Sequence, residues 1–172
     1  MSIPIRLRQY RSDDVDAVAD AVLESQAELS IWMPWCHPDY GRQDAAAWVA
    51  SRPDAWQRNE EKSFLVVAAD DQLLGGCGIH RINLQNGVGE LGYWVRSSAT
   101  RRGVATEATR LACAWAFEVA GLHRIEILAS VENVASQRVA EKAGGVREGI
   151  LRERLLLHGR RHDCVLYSIV RR

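Results

Sequence analysis

The chain has 172 residues, 47% of them hydrophobic, which is a single domain's length with ample apolar material for one core, and residues 1–172 are expected to fold as one domain. Its 22 Lys and Arg balance 22 Asp and Glu, so no net charge argues for nucleic acid or a membrane surface as partner. Cys36, Cys77, Cys113 and Cys164 form no CxxC pair, which fits reduced thiols in a cytosolic protein better than disulfides or zinc, and MSIPIRLRQYRSDD holds no long apolar run, which supports neither a signal peptide nor a transmembrane helix, so the cytoplasm is expected.

Ile3 to Arg8 alternates apolar and basic residues as a half-buried strand does. Ser12 is placed to cap a helix reaching about Leu29: Asp13, Asp14 and Asp16 suit its positive end, and Val15, Val18, Ala19 and Val22 form one stripe. SIWMPWCHPDYG is too broken for regular structure, and its rings either pack beneath helices or line a pocket. Helical spacing returns over Gln43 to Glu60, where Pro53 is expected to break or kink the helix. Strands follow at Ser63–Ala69 and Gln72–Ile82 around an Asp70-Asp71 turn. Gly75-Gly76-Cys77-Gly78 lacks the following helix and Lys-Ser/Thr of a phosphate loop, so it reads as a strand with a bulge or a close backbone approach. Asn83 to Gly89 is a hairpin loop.

Glu90 to Arg96 is the next strand, and after a polar turn the apolar spacing switches to helical at Val104, Ala108, Leu111, Ala112, Trp115 and Val119. Arg101-Arg102-Gly103-Val104-Ala105 therefore opens a helix, where free N–H groups and partial positive charge can wrap a pyrophosphate and Gly103 permits close approach. An ordinary strand-to-helix connection with exposed arginines has the same appearance. Gly121 ends that helix, Arg124–Val131 is a strand, and Asn133 caps a helix ended by Gly144-Gly145. Val146–Leu157 and Asp163–Val170 pair around His158-Gly159-Arg160. Hairpin-linked strands pair antiparallel and strand–helix–strand units parallel, so the expected class is α/β (α+β): a mixed, mostly antiparallel seven-stranded sheet with about four helices.

Thr100-Arg101-Arg102-Gly103-Val104-Ala105 resembles the acyl-CoA loop Gln/Arg-x-x-Gly-x-Gly/Ala of the GCN5-related N-acetyltransferases (GNAT), with threonine at its head. Gly92-Tyr93-Trp94 before it and Ala105-Thr106-Glu107-Ala108 after it resemble the branch that acetylates protein N-termini, the ribosomal-protein alanine and serine acetyltransferases. Glu132 to Gly144 resembles the family's Asn-x-x-Ser helix. The resemblance implies the GNAT fold, in which two central parallel strands splay around the pantetheine arm. It also implies acetyl-CoA as cofactor, contacted by Trp94, Val95, Arg96, Arg101, Arg102, Gly103, Val104, Ala105, Thr106 and Asn133, with Ser136 near the thioester sulfur. Many members place a tyrosine seven residues after the asparagine; that position is Ala140, which leaves Ser136 as the candidate acid. The usual Gly-Phe is Gly144-Gly145.

Acyl transfer to an amine also requires a base. Glu90, at the start of the strand that would carry the thioester, ranks first. Glu153 ranks second: in the N-terminal branch the base on the late strand matches Leu155, and Glu153 would substitute from two residues earlier on the same face. The implied activity is direct transfer in a ternary complex to an amine acceptor, first a protein or peptide N-terminus and second a small-molecule amine such as an antibiotic, polyamine or amino acid. A non-catalytic acyl-CoA sensor is the rival. The five histidines are scattered along the sequence and no metal site is expected, and a homodimer is compatible with the sequence.

Overall fold

Seven strands join in one sheet in the computed structural model, which describes residues 4–171. In chain order they are β1 (Ile5–Arg8), β2 (Glu61–Ala68), β3 (Leu73–Asn83), β4 (Val88–Val95), β5 (Arg124–Ser130), β6 (Val146–Leu157) and β7 (Arg160–Val170), laid out as β1-β2-β3-β4-β5-β7-β6. The β4–β5 pair is parallel, as a strand–helix–strand connection requires, and the other five pairs are antiparallel.

Among the described residues five helices accompany the sheet, one more than the approximate four expected: α1 (Val15–Glu24), α2 (Gln26–Trp32), α3 (Arg42–Gln57), α4 (Val104–Glu118) and α5 (Val134–Lys142). The first expected helix divides at Ser25, whose buried hydroxyl donates to Ala21 O (2.8 Å) and accepts the Ser97 N–H (2.8 Å). Ser12 makes no capping bond; ahead of the helix the Asp14 carboxylate instead accepts the Arg11 N–H (2.6 Å) and the Arg8 guanidinium (2.8 and 2.7 Å), tying the helix start back to β1. Pro53 lies inside α3 without ending it.

The sheet has a core on each face. Phe64, Val66 and Ala68 of β2 pack with α4, while Leu65 and Val67 pack with α1 and α3, so the unbroken apolar run of β2 reflects burial on both sides. Each fully buried Val, Ile or Leu adds roughly 1.5–3 kcal/mol. Both readings of the glycine run hold: the β2–β3 register shifts opposite it, and a Cβ on Gly75 would sit 2.2 Å from Trp94 O.

Two departures from regular pairing shape the centre. Val88–Glu90 pairs with Arg124–Glu126, and past Glu90 the strands β4 and β5 part. In β6 the register slips between Leu151 and Leu155, leaving residues 152–154 opposite Asp163 alone, and Glu153 takes φ +50°. That bulge breaks the period-two alternation on which a shared face for Glu153 and Leu155 depended.

Candidate active site

The turn before α4 is built from main chain. Arg101 and Gly103 adopt φ of +60° and +79°, and at Gly103 a branched side chain would be strained. The Glu107 N–H bonds back to Gly103 O at 3.0 Å, so the N–H groups ahead of it face outward at the positive end of the helix. Val104 is buried and pins the turn, while Arg101 and Arg102 are exposed beside it. Bare donors, no side chain at residue 103 and two cations suit a diphosphate. Val95 packs into the α4 core. Arg96 is already engaged, donating to Glu24 Oε2 (3.0 Å) and Leu73 O (3.1 Å); it fastens the strand end to the α1–α2 break.

Where β4 and β5 part, a cleft of about 180 Å³ opens, and Glu90, Asn133 and Ser136 all line it. Leu155 lines it as well; Glu153 does not, and is exposed with its N–H donated to Asp163 Oδ1 (2.8 Å). Asn133 caps α5, its Oδ1 accepting the Ser136 N–H at 3.0 Å. Ser136 Oγ lies 2.8 Å from the Tyr93 hydroxyl, a contact in which either oxygen can donate, and Ser136 O at 3.1 Å is the other acceptor within reach of the phenol. Burial pushes the Tyr93 phenol up to about 12, against a smaller opposing pull from Ser136. Sequence reasoning missed Tyr93 as a functional residue. Alternation along β4 places it with Leu91 and Val95 on the α4 face, a signal that gains meaning only once α5 is known to lie there.

On the opposite face, Glu90 and His80 are cross-strand partners. His80 Nε2 is 3.2 Å from Glu90 Oε1, Arg81 Nη1 donates to Oε2 at 2.9 Å, and Arg154 Nη2 approaches to 3.8 Å. Burial works to raise the Glu90 pKa, but His80 and Arg81 outweigh it and hold the carboxyl below its ordinary value. Glu90 is therefore ionised, and as a direct base it is weak.

A second cavity, of about 550 Å³, lies on this face beneath α1 and α3. Gly76, Gly78 and Gly92 line its strand side, and Tyr10, Trp35, Tyr40, Trp48 and Trp94 are among its walls. The indole of Trp94 stands here, Nε1 lying 2.6 Å from where a Gly76 Cβ would be, so its side chain is on the face away from α4. Trp35 and Tyr40, from the proline-broken segment, thus both pack and line a pocket. The two cavities share Met33, His80, Gly92 and Tyr93.

Residues 5–146 match the model of the acetyltransferase (GNAT) domain. The chain belongs to the GNAT family. It is 29% identical over 171 residues, 98% of this chain and 92% of the relative, to the protein of Bacillus subtilis (strain 168) named "Putative ribosomal N-acetyltransferase YdaF". It is 29% identical over 105 residues, 61% of each chain, to the spermidine N(1)-acetyltransferase of Vibrio cholerae. Among solved structures, Mycobacterium smegmatis RimJ in complex with CoA-disulfide superposes with a TM-score of 0.89 at 25% identity, over 98% of this chain and 84% of RimJ.

This GNAT is thus an acetyl-CoA-dependent N-acetyltransferase, and acetyl-CoA supplies the activated acyl group. The turn at Arg101–Thr106 and the β4–β5 cleft are the parts of the chain that fit that molecule. Two of its departures from the family pattern, Ala140 and Gly145, are linked in space: a Cβ on Gly145 would lie 2.8 Å from Ala140 O and 3.4 Å from Tyr167 Cβ, so no side chain fits there. Tyr167 of β7 is buried beside it instead, its hydroxyl donating to Glu141 at 2.9 Å. Among the described residues, no helix is long and apolar enough to cross a membrane.

Proposed function

We propose that this GNAT acetylates the N-terminal amine of a protein or peptide in the cytoplasm, by direct attack in a ternary complex. The supporting observation is the shared wall of the two cavities: an amine entering beneath α1 and α3 reaches an acyl group presented in the cleft without a covalent enzyme intermediate. Most free amines are ammonium at neutral pH, so the amine must first lose a proton. His80 stands at the junction; with Nε2 donating to Glu90, Nδ1 keeps its lone pair for that proton. Glu90 orients the ring and offsets the charge it acquires. Across the wall, Ser136 Oγ gives its proton to the leaving sulfur and draws on the Tyr93 phenol behind it. Glu153, on its solvent-facing bulge, takes no part.

A monoamine acceptor suits the cavity better than a polyamine, because Glu61 is already paired with Arg52 (2.9 Å) and Asp44 accepts the Gly41 N–H (2.9 Å). Thiol release from acetyl-CoA is the test, run across N-terminal peptides, spermidine and antibiotic amines. Peptide turnover that saturates in both substrates, with intersecting double-reciprocal lines, is expected. Preference for spermidine would overturn the acceptor, and CoA binding with no turnover on any amine would favour the sensor.

A further inference from the structure

We infer that the acceptor carries a bulky, uncharged ring beside its amine and that the aromatic cavity is the pocket for that ring. For a protein substrate this means an aromatic first residue in place of alanine or serine. The inference rests on the transferase reading above and adds the side chain that the site selects.

Size comes first. A cavity of about 550 Å³ is in the range that holds a whole small molecule, and a methyl or hydroxymethyl group would leave most of it empty. Shape comes next. The strand side of the pocket is bare main chain, kept so by glycines: a Cβ on Gly76 would meet Trp94 Nε1 at 2.6 Å and the Tyr10 hydroxyl at 3.2 Å, and one on Gly78 would meet Ser63 Oγ at 3.3 Å. The walls are rings that hold one another edge-on, Trp35 against Trp94 at 6.3 Å and Tyr10 against Trp48 at 6.4 Å. A flat floor between upright rings accepts another planar group, stacked or edge-on.

Polarity decides between a ring and the alternatives. The hydroxyl and charged groups where α3 meets β2 already bond one another: Ser51 donates to Trp48 O (2.7 Å), Ser63 to Glu61 (2.6 Å), and Arg52 bonds Glu61 while lying 3.4 Å over the Trp48 ring. A peptide main chain at that corner would find these groups already engaged, and a second ammonium would find Glu61 paired with Arg52. An apolar ring needs neither. The pocket reaches Gly92 and His80, so a ring seated in it keeps the attached amine within a few bonds of the cleft.

The test measures kcat/KM of the full chain with acetyl-CoA for Phe-, Tyr- and Trp-led tripeptides against Ala- and Ser-led ones, with 2-phenylethylamine and spermidine alongside. The ring-led peptides are expected to exceed the small ones by roughly tenfold or more. Ala47→Trp, on the exposed rim of the pocket, is expected to shrink that ratio by about fivefold or more, with unchanged CoA affinity as the control for folding. Ala- or Ser-led peptides turned over as well as ring-led ones would overturn the ring pocket and leave the N-terminal reading standing. Better turnover of 2-phenylethylamine than of every peptide would uphold the pocket and overturn the N-terminal reading. Preference for spermidine, or no turnover at all, overturns both.

Discussion

The proposed cofactor turn and the proposed acceptor cavity flank the same strand, β4, and are made of different material. Ahead of α4 the groups on offer to a ligand are main-chain N–H donors set by one left-handed glycine, Gly103, and the side chains there point to solvent or anchor the turn. Beneath α1 and α3 the main chain is a bare floor, and the surface that a ligand would touch consists of side chains drawn from positions as far apart as Tyr10 and Trp94. A main-chain site tolerates a change of side chain and fails on a change of φ; a side-chain site does the reverse.

The cleft residue that touches the shared Tyr93 gives the largest expected effect. Ser136→Ala removes the hydroxyl aimed from α5 at Tyr93 and leaves the Asn133 cap intact, because that cap uses the Ser136 N–H. We expect kcat to fall roughly 100-fold or more, with CoA affinity changed less than about twofold by calorimetry. An unaltered rate would return Ser136 to a purely structural position on α5.

The cofactor side can be broken next, and in a way that tests the contrast itself. Gly103→Val forces a branched residue to φ +79° and is expected to weaken CoA binding by roughly 10- to 100-fold. Arg102→Ala removes an exposed charge and is expected to weaken it by about fivefold or less. Equal losses, or a larger one for Arg102→Ala, would show that charge and not main chain holds the diphosphate.

The same contrast explains what could be read from the sequence. The turn and α4 lie within a short stretch, so the change of apolar period and the position of Gly103 carried the essentials, and Asn133 was legible as a cap because its partner is three residues away. Hairpin loops and strand–helix–strand order fixed the sheet in the same local way. Features that depend on distant partners were not legible. The break at Ser25 answers to Ser97, 72 residues on. The β6 bulge that withdraws Glu153 from the cleft is a matter of register against β7, and an alternating pattern is silent about register slips. His80 and Tyr93 looked like ordinary strand residues until pairing set His80 opposite Glu90 and the parting of β4 from β5 brought Tyr93 to Ser136. The acceptor cavity is the extreme case, since no segment of the chain holds more than a fraction of its wall.

The smallest effect separates the two sites by titration. Glu90, on the acceptor face, has a folded pKa below its ordinary 4.5 because His80 and Arg81 overcome the burial that would raise it, with Arg154 nearby as a further cation. Between the folded and unfolded values the unfolded chain binds more protons, so stability rises with pH in that window. The contribution is complete above the unfolded value and is lost as pH falls through the folded one. Glu90→Gln should therefore cost about 1 kcal/mol at neutral pH by urea denaturation, a magnitude typical of a partly exposed charged contact. The gap from wild type should close on acidification through and below the folded pKa. Gly103→Val has no such dependence, because a strained main chain does not titrate, and its stability difference should stay level across the same range. A Glu90→Gln gap that widened in acid would mean the carboxyl is protonated in the folded chain, and His80 would then lose the anion that orients it.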